Sequence, residues 1–425
     1  MLIALGIATL SLAGCGRGTD PGTTSGTSGA QAVIDDKPAT GTVELWAAGG
    51  DGEKLPEMFE KFKAENPDVT INMTQIPEAD FLAKMSAALS AGQVPDLVYL
   101  FTEFTPTLLA TGQFSPVPDG LVDGSKFFDF AWNTTKVEGT AYGVPWYTYG
   151  RMLYYRADHA KAAGVTPPTS WSELKPFLKG MQAQGIKKPL KLATTPFDAY
   201  TAMEFDWFAH QNGGGLISDD LSTWTIDSPQ NIEALEFYSS LVTEGYADVD
   251  QGSQLDLTAR FTTDNVAAAV IGPWFRGWLL DAQGEQWVNE NLGVTALTTG
   301  NSGDKAAMVG GGNWAVPKEA KNPDAAWKFA RWMAQPEQQV EWKKVFGNLP
   351  AVTAAWDDPA IAGDENLTPI REALEVGITI PLVANWNEVG LVIGTQIERV
   401  ERGQATAEQA LKEAQTQAVK IGVGS

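Results

Sequence analysis

The stretch MVGGGNWAVPKEAKNPDAAWKFARWMAQPEQQVEWKKVFGNLP, from Met308 to Pro350, decides how the rest of the chain is read. Gly310, Gly311 and Gly312 carry no Cβ, so they allow backbone to approach backbone or ligand closely. Asn313 to Val316 reads as a short strand stopped by Pro317. Asp324, after Pro323, opens a helix on which Ala326, Trp327, Ala330 and Met333 recur at helical spacing. Pro336 opens a second helix that stops at Gly347, and Asn348–Leu349–Pro350 forms a turn leading away.

Working outward, the chain has 425 residues, enough for two domains with large cores. Charged residues make up 19% and hydrophobic residues 44%, a globular composition. The formal net charge of −22 argues against nucleic acid, whose phosphates need Lys and Arg. Cys15 is the single cysteine, so neither a disulfide nor a cysteine-ligated zinc cluster can form within the chain. His159 and His210 lie far apart with no Cys partners, which makes a metal site or a catalytic triad an unpromising reading. No P-loop or dinucleotide fingerprint is present, and no cofactor is expected.

Thr42 to Trp46 reads as a strand, followed by a helix carrying Leu55, Met58, Phe59 and Phe62 on one face. Val69, Ile71 and Met73 alternate like a second strand, and Pro95 to Leu100 forms a third after another helix. Such alternation predicts an α/β protein with mostly parallel sheets covered by helices. Ligands of these sheets sit beyond the carboxyl ends of the strands. That points to Asp51 and Glu53 after the first strand, and to Thr102 and Glu103 after the third.

The glycine-rich strand, the two helices and the G-x-x-P exit resemble the signature of family 1 extracellular solute-binding proteins, which feed ABC importers. A second stretch, YGVPWYTYGRMLYYRADHAKAAGVTPPTSWSEL (Tyr142 to Leu174), is similar to the segment that carries this family's chain between lobes. Arg156 stands where the family usually has Asn. Gly272–Pro273–Trp274 and the C-terminal GQATAEQALKEAQ resemble the maltose-type members. The resemblance implies a two-lobed, type II periplasmic-binding-protein-like fold with a multi-crossing hinge. Its lobes would be 41–149 plus 306–350, and 150–305 plus 351–425. It also implies a function: solute captured by lobe closure and handed to the transmembrane permease of an importer driven by a separate ATPase.

The start, MLIALGIATLSLAGCG, is an apolar run shaped like a signal-peptide core. Leu12–Ala13–Gly14–Cys15 resembles the bacterial lipobox, although no Lys or Arg precedes it. The expectation is a signal peptide over 1–14, lipid on Cys15, and a flexible tether to residue 40 at the outer face of the cell membrane.

Fifteen Trp, 9 Tyr and 18 Phe suit a sugar ligand. An aromatic face covers the C–H side of a sugar ring while polar groups bond its hydroxyls. Candidate loops pair the two kinds: Tyr147, Tyr149 and Arg151; Asp198 and Tyr200; Trp274 and Arg276; Asn385, Trp386, Asn387 and Glu388. Gly311, Gly312 and Asn313 complete the set. Trp274 and Trp386 are the expected stacking platforms, and a di- or oligosaccharide is the expected ligand. The alternatives are another solute on the same fold (glycerol phosphate, polyamine or ferric ion) and a surface glycosidase working with paired carboxylates.

Overall fold

A computed structural model describes residues 33–424, apart from 193–196, 251 and 253. The expected signal peptide, Cys15 and most of the tether lie outside the described residues. The last residues expected in the tether are held on the fold. Ala39 is fully buried and its amide donates to Asn66 Oδ1 at 2.6 Å. Lys328 grips Asp35 at 2.6 Å, and Arg331 donates to the Asp35 carbonyl at 2.8 Å. Charge pairing, which composition alone does not reveal, fixes this stretch.

The strands are β1 (Gly41–Ala48), β2 (Val69–Ile76), β3 (Leu97–Phe101), the short hairpin β4 (Lys136–Val137) and β5 (Thr140–Ala141), β6 (Gly143–Gly150), β7 (Met152–Arg156), β8 (Leu190–Lys191), β9 (Ala268–Ile271), β10 (Leu292–Thr295), β11 (Ala307–Ala315), β12 (Leu349–Pro350) and β13 (Gly377–Ile378). One sheet runs β12-β6-β11-β3-β1-β2, with β13 beside β11; the other runs β10-β7-β9-β8. The expected parallel pairing holds for β1 with β2 and β3, β11 with β13, and β8 with β9. β11 runs antiparallel to both β3 and β6, and β7 runs antiparallel to β9 and β10, so both sheets are mixed. The reason is the connection. β6 and β7 are one extended run interrupted only at Arg151, which carries the chain from the first sheet to the second. The return segment from β10 to β11 passes back the other way.

This arrangement makes the protein two-lobed, and sequence patterning follows position. β2, at an edge, alternates buried and exposed residues, whereas every residue of β6 and β11 is buried. The first lobe packs Leu45, Met58, Phe62 and Phe329 around Trp146, whose ring centroid lies 4.6 Å from Trp314 and 4.5 Å from Trp342. The second packs Phe208, Leu235, Ile393 and Trp386 around Trp171, which stacks on Phe237 at 4.3 Å. Most tryptophans therefore serve the cores, Trp327 and Trp332 among them. Two capping boxes, Ser170 with Glu173 and Thr406 with Gln409, start their helices.

The glycine triplet has a different duty at each position. A Cβ on Gly311 would lie 2.2 Å from the Tyr147 carbonyl oxygen on the neighbouring strand, a clash of backbone against backbone. Gly311→Ala is expected to destabilise the protein by roughly 1–3 kcal/mol, the usual cost of overpacking a close contact. Gly277→Ala, where a Cβ meets only one atom at 4.0 Å, serves as the control. Urea unfolding of both variants decides the matter; equal stability would mean that the β6–β11 pair tolerates a side chain there.

Candidate functional site

Between the lobes lies a cleft of about 2190 Å³. Its first wall is built from strand ends, as the topology requires. The helix Asp51–Glu65 follows directly on β1 and places Asp51 at its first turn. Asp51 is 4% exposed and accepts hydrogen bonds from Tyr99 Oη at 2.8 Å, Tyr147 Oη at 2.5 Å and Asn348 Nδ2 at 3.0 Å. Burial is the largest influence on its carboxyl and pushes its pKa up to about 7, with Glu78 adding to the shift and the three donors opposing it.

Glu103, beyond β3, is held in the same manner by Tyr149 Oη. Tyr147 and Tyr149 are two apart on β6 and so share a face of the sheet. Each grips one acid. Burial raises the Glu103 pKa, and its Oε2 is buried without a hydrogen-bond partner. The space these tyrosines need is supplied by β11. A Cβ on Gly310 would lie 2.4 Å from Tyr149 Oη, and one on Gly312 would lie 2.2 Å from the Tyr99 ring.

The facing wall begins at the crossing. Arg151 is 4% exposed, and its Nε and Nη1 are buried without hydrogen-bond partners. Its guanidinium lies 5.9 Å from the Trp274 ring centroid, and Trp274 meets Tyr149 edge to face at 5.2 Å. Glu103, Tyr149, Trp274 and Arg151 thus form one continuous surface, with an unsatisfied acceptor at one side and unsatisfied donors at the other. Buried polar atoms without partners are costly, and a ligand that pairs them recovers that cost.

Of the residues expected from sequence, Asp51, Glu53, Glu103, Tyr147, Tyr149, Arg151, Asp198, Tyr200, Trp274 and Arg276 line this cleft. The others do not. Thr102 and Gly311 bond each other behind the wall, Thr102 Oγ1 donating to the Gly311 carbonyl at 3.1 Å. Gly312 is covered by Tyr99, and Asn313, 2% exposed, donates to Thr134 Oγ1 at 3.2 Å. Trp386, expected to stack on ligand, is 1% exposed and belongs to the second lobe's core. Asn385 caps the last helix by donating to the Ile421 carbonyl at 3.1 Å, and Glu388 is exposed outside the cleft.

The cleft also holds Asn387, from the last candidate loop, and residues the sequence reading left out: Glu78, Lys191, Phe346 and Asn348. Asn348 stood in the turn after Gly347, within reach of the motif. Lys191, 3% exposed, lies on a two-residue strand with no motif around it; burial lowers its pKa to about 8. Among the described residues, no group of His, Cys, Asp and Glu is placed to hold a metal ion.

The raised Asp51 carboxyl has a measurable consequence. The folded chain keeps a proton on Asp51 that an unfolded carboxylate releases near pH 4. Asp51 therefore lowers stability as pH rises from about 4 to about 7, and its effect is complete above that. Removing the charge with Asp51→Asn should make the fall in melting temperature between pH 5 and pH 8 smaller than in the parent chain. An identical pH dependence in both proteins would contradict the assignment.

Residues 57–369 match the family model for bacterial extracellular solute-binding proteins. The sn-glycerol-3-phosphate-binding periplasmic protein UgpB of Shigella dysenteriae is 23% identical over 417 residues, covering 89% of this chain and 92% of that protein. Among solved structures, the GacH receptor of Streptomyces glaucescens, determined unliganded and with acarbose, is similar with a TM-score of 0.81 and 24% identity. That match covers 90% of this chain and 98% of the receptor. The sugar-binding protein MalE of Xanthomonas citri gives a TM-score of 0.77 at 26% identity, covering 90% of this chain and 97% of MalE. With the family model spanning well over half of its length and the two-lobed cleft in place, the chain belongs to the bacterial extracellular solute-binding proteins, the binding components of ABC importers.

Proposed function

We propose that the solute is a carbohydrate, a di- or oligosaccharide, bound between the lobes. One observation carries this reading: the Trp274 ring lies 5.9 Å from the Arg151 guanidinium and meets Tyr149, which holds Glu103, while Arg151 and Glu103 each keep buried polar atoms without partners. A sugar suits this pair because each of its hydroxyls is both acceptor and donor, so it can offer acceptors to Arg151 and a donor to Glu103 Oε2. The C–H face of the same ring then covers Trp274. The cleft volume of about 2190 Å³ exceeds the about 300–1,000 Å³ usual for small ligands, which suits more than one ring.

Glycerol phosphate is the second reading, favoured by the two buried cations Arg151 and Lys191 and by the name of the Shigella relative. Against it stand Asp51 and Glu103 on the opposite wall, whose carboxylates would repel a phosphate. In this reading of the chain the lobes are 41–149 plus 306–350 and 150–305 plus 351–425. Solute contacts to both lobes favour closure, and the closed form docks on the permease. Residues 1–14 act as the signal peptide, and lipid on Cys15 with the tether holds the protein at the outer face of the membrane. The motif Leu12–Ala13–Gly14–Cys15 supports that placement.

A thermal-shift panel of mono-, di- and oligosaccharides with sn-glycerol 3-phosphate tests the solute. Ligand at a hundred times its dissociation constant adds about 2.7 kcal/mol of stability. The expectation is a shift with an oligosaccharide, reduced at least tenfold in affinity by Trp274→Ala or Arg151→Ala. A shift with glycerol phosphate alone would replace the carbohydrate reading. Separately, cells grown with labelled palmitate should label the parent chain and leave Cys15→Ala unlabelled; label on both would contradict the anchor.

A further inference from the structure

Among the described residues, four hydrogen bonds cross the cleft at one end, and none of them needs a solute. Tyr200 Oη donates to Glu78 Oε1 at 2.6 Å. Thr107 Oγ1 donates to the Ala384 carbonyl at 2.7 Å. Asn387 Nδ2 donates to the Glu103 carbonyl at 3.0 Å and to Thr107 Oγ1 at 3.2 Å. Glu78 opens the helix Glu78–Ala91, and Thr107 lies on the short helix Thr105–Leu109; both helices pack in one cluster through Phe81, Leu89 and Leu108. Tyr200 and Asn387 lie on the helices Ala199–Gln211 and Trp386–Glu401 of the second lobe.

Those two second-lobe helices act as one edge because glycine brings them together. A Cβ on Gly390 would lie 2.8 Å from Ala199 Cβ, and one on Gly394 would lie 2.6 Å from the Asp198 carbonyl oxygen. The contact order along the wall places this edge at one extreme. Asn387 meets the Glu103 carbonyl, the Glu103 carboxylate meets Tyr149, and Tyr149 meets Trp274.

We propose that Tyr200 and Asn387, with Thr107, form a solute-independent clasp that holds the lobes together at the Glu78 end of the cleft. The resting protein is thus already biased toward closure at that end, and solute enters from the side of Trp274. The hydroxyl of Tyr200, foreseen as a ligand contact, is assigned to this clasp. The inference depends on the two lobes and not on which solute they hold. A hydrogen bond of ordinary strength shifts the ratio of closed to open forms about fivefold, so losing several favours opening.

The test uses the full chain with Cys15→Ser and spin labels at Lys84→Cys and Thr395→Cys, two exposed positions on the helices Glu78–Ala91 and Trp386–Glu401, which carry clasp residues from opposite lobes. Distances are measured by double electron–electron resonance without solute. The parent should give one short, narrow distance. Tyr200→Phe, which removes only the hydroxyl, should add a longer component, and Tyr200→Phe with Asn387→Ala should make it the major one. Melting temperatures within a few degrees of the parent confirm folding. Identical distributions in the parent and Tyr200→Phe proteins, or a broad long distance already present in the parent, would overturn the clasp.

Discussion

Everything in the cleft depends on the close antiparallel approach of β6 and β11. β11 is buried along its whole length and pairs with β3 on one side and β6 on the other. Its glycines leave vacant the space that side chains would fill. Tyr149 and Tyr99 occupy the seats at Gly310 and Gly312, and those rings carry Glu103 and Asp51 to the cleft wall. The glycines touch no ligand surface themselves. Their contribution is one step removed, through the tyrosines.

That arrangement explains the chemistry of the wall. Two carboxyl groups are buried where water cannot solvate them, and burial raises both pKa values. Tyrosine hydroxyls donate to both acids and hold them in place, and both Asp51 oxygens accept hydrogen bonds. Glu103 keeps one oxygen without a partner, as Arg151 keeps Nε and Nη1. A single crossing residue therefore brings donors to the same cleft that holds the Glu103 acceptor. The hinge and the site are the same place. In the proposed reading closure and recognition are coupled, because the run through β6, Arg151 and β7 that links the lobes also places Tyr149 and Arg151 in the cleft.

The fold was legible because its signals are local. Alternating strands and helices, the glycine triplet and the capping boxes all act within a few residues of themselves. The site was legible where a strand end or crossing fixes direction, as for Asp51, Glu103, Tyr149 and Arg151. It was not legible on helices whose rotation about their axis is set by packing. On Trp386–Glu401, Trp386, Val389 and Ile393 turn into the core, whereas Asn387 and Leu391, four apart, turn toward the cleft. Choosing Trp386 over its neighbour required the phase of the helix, which depends on Gly390 and Gly394 meeting another helix far away in sequence. Aromatic richness misled in the same way, since the interior of each lobe absorbs most of the tryptophans.

The most direct measurement is a crystal structure of Gly310→Ala. If the glycine seat positions the wall, the added methyl must push the Tyr149 ring aside, break its hydrogen bond to Glu103 and leave that carboxylate displaced from Trp274. A structure in which Tyr149 still donates to Glu103, with β6 and β11 at their original separation, would contradict the account.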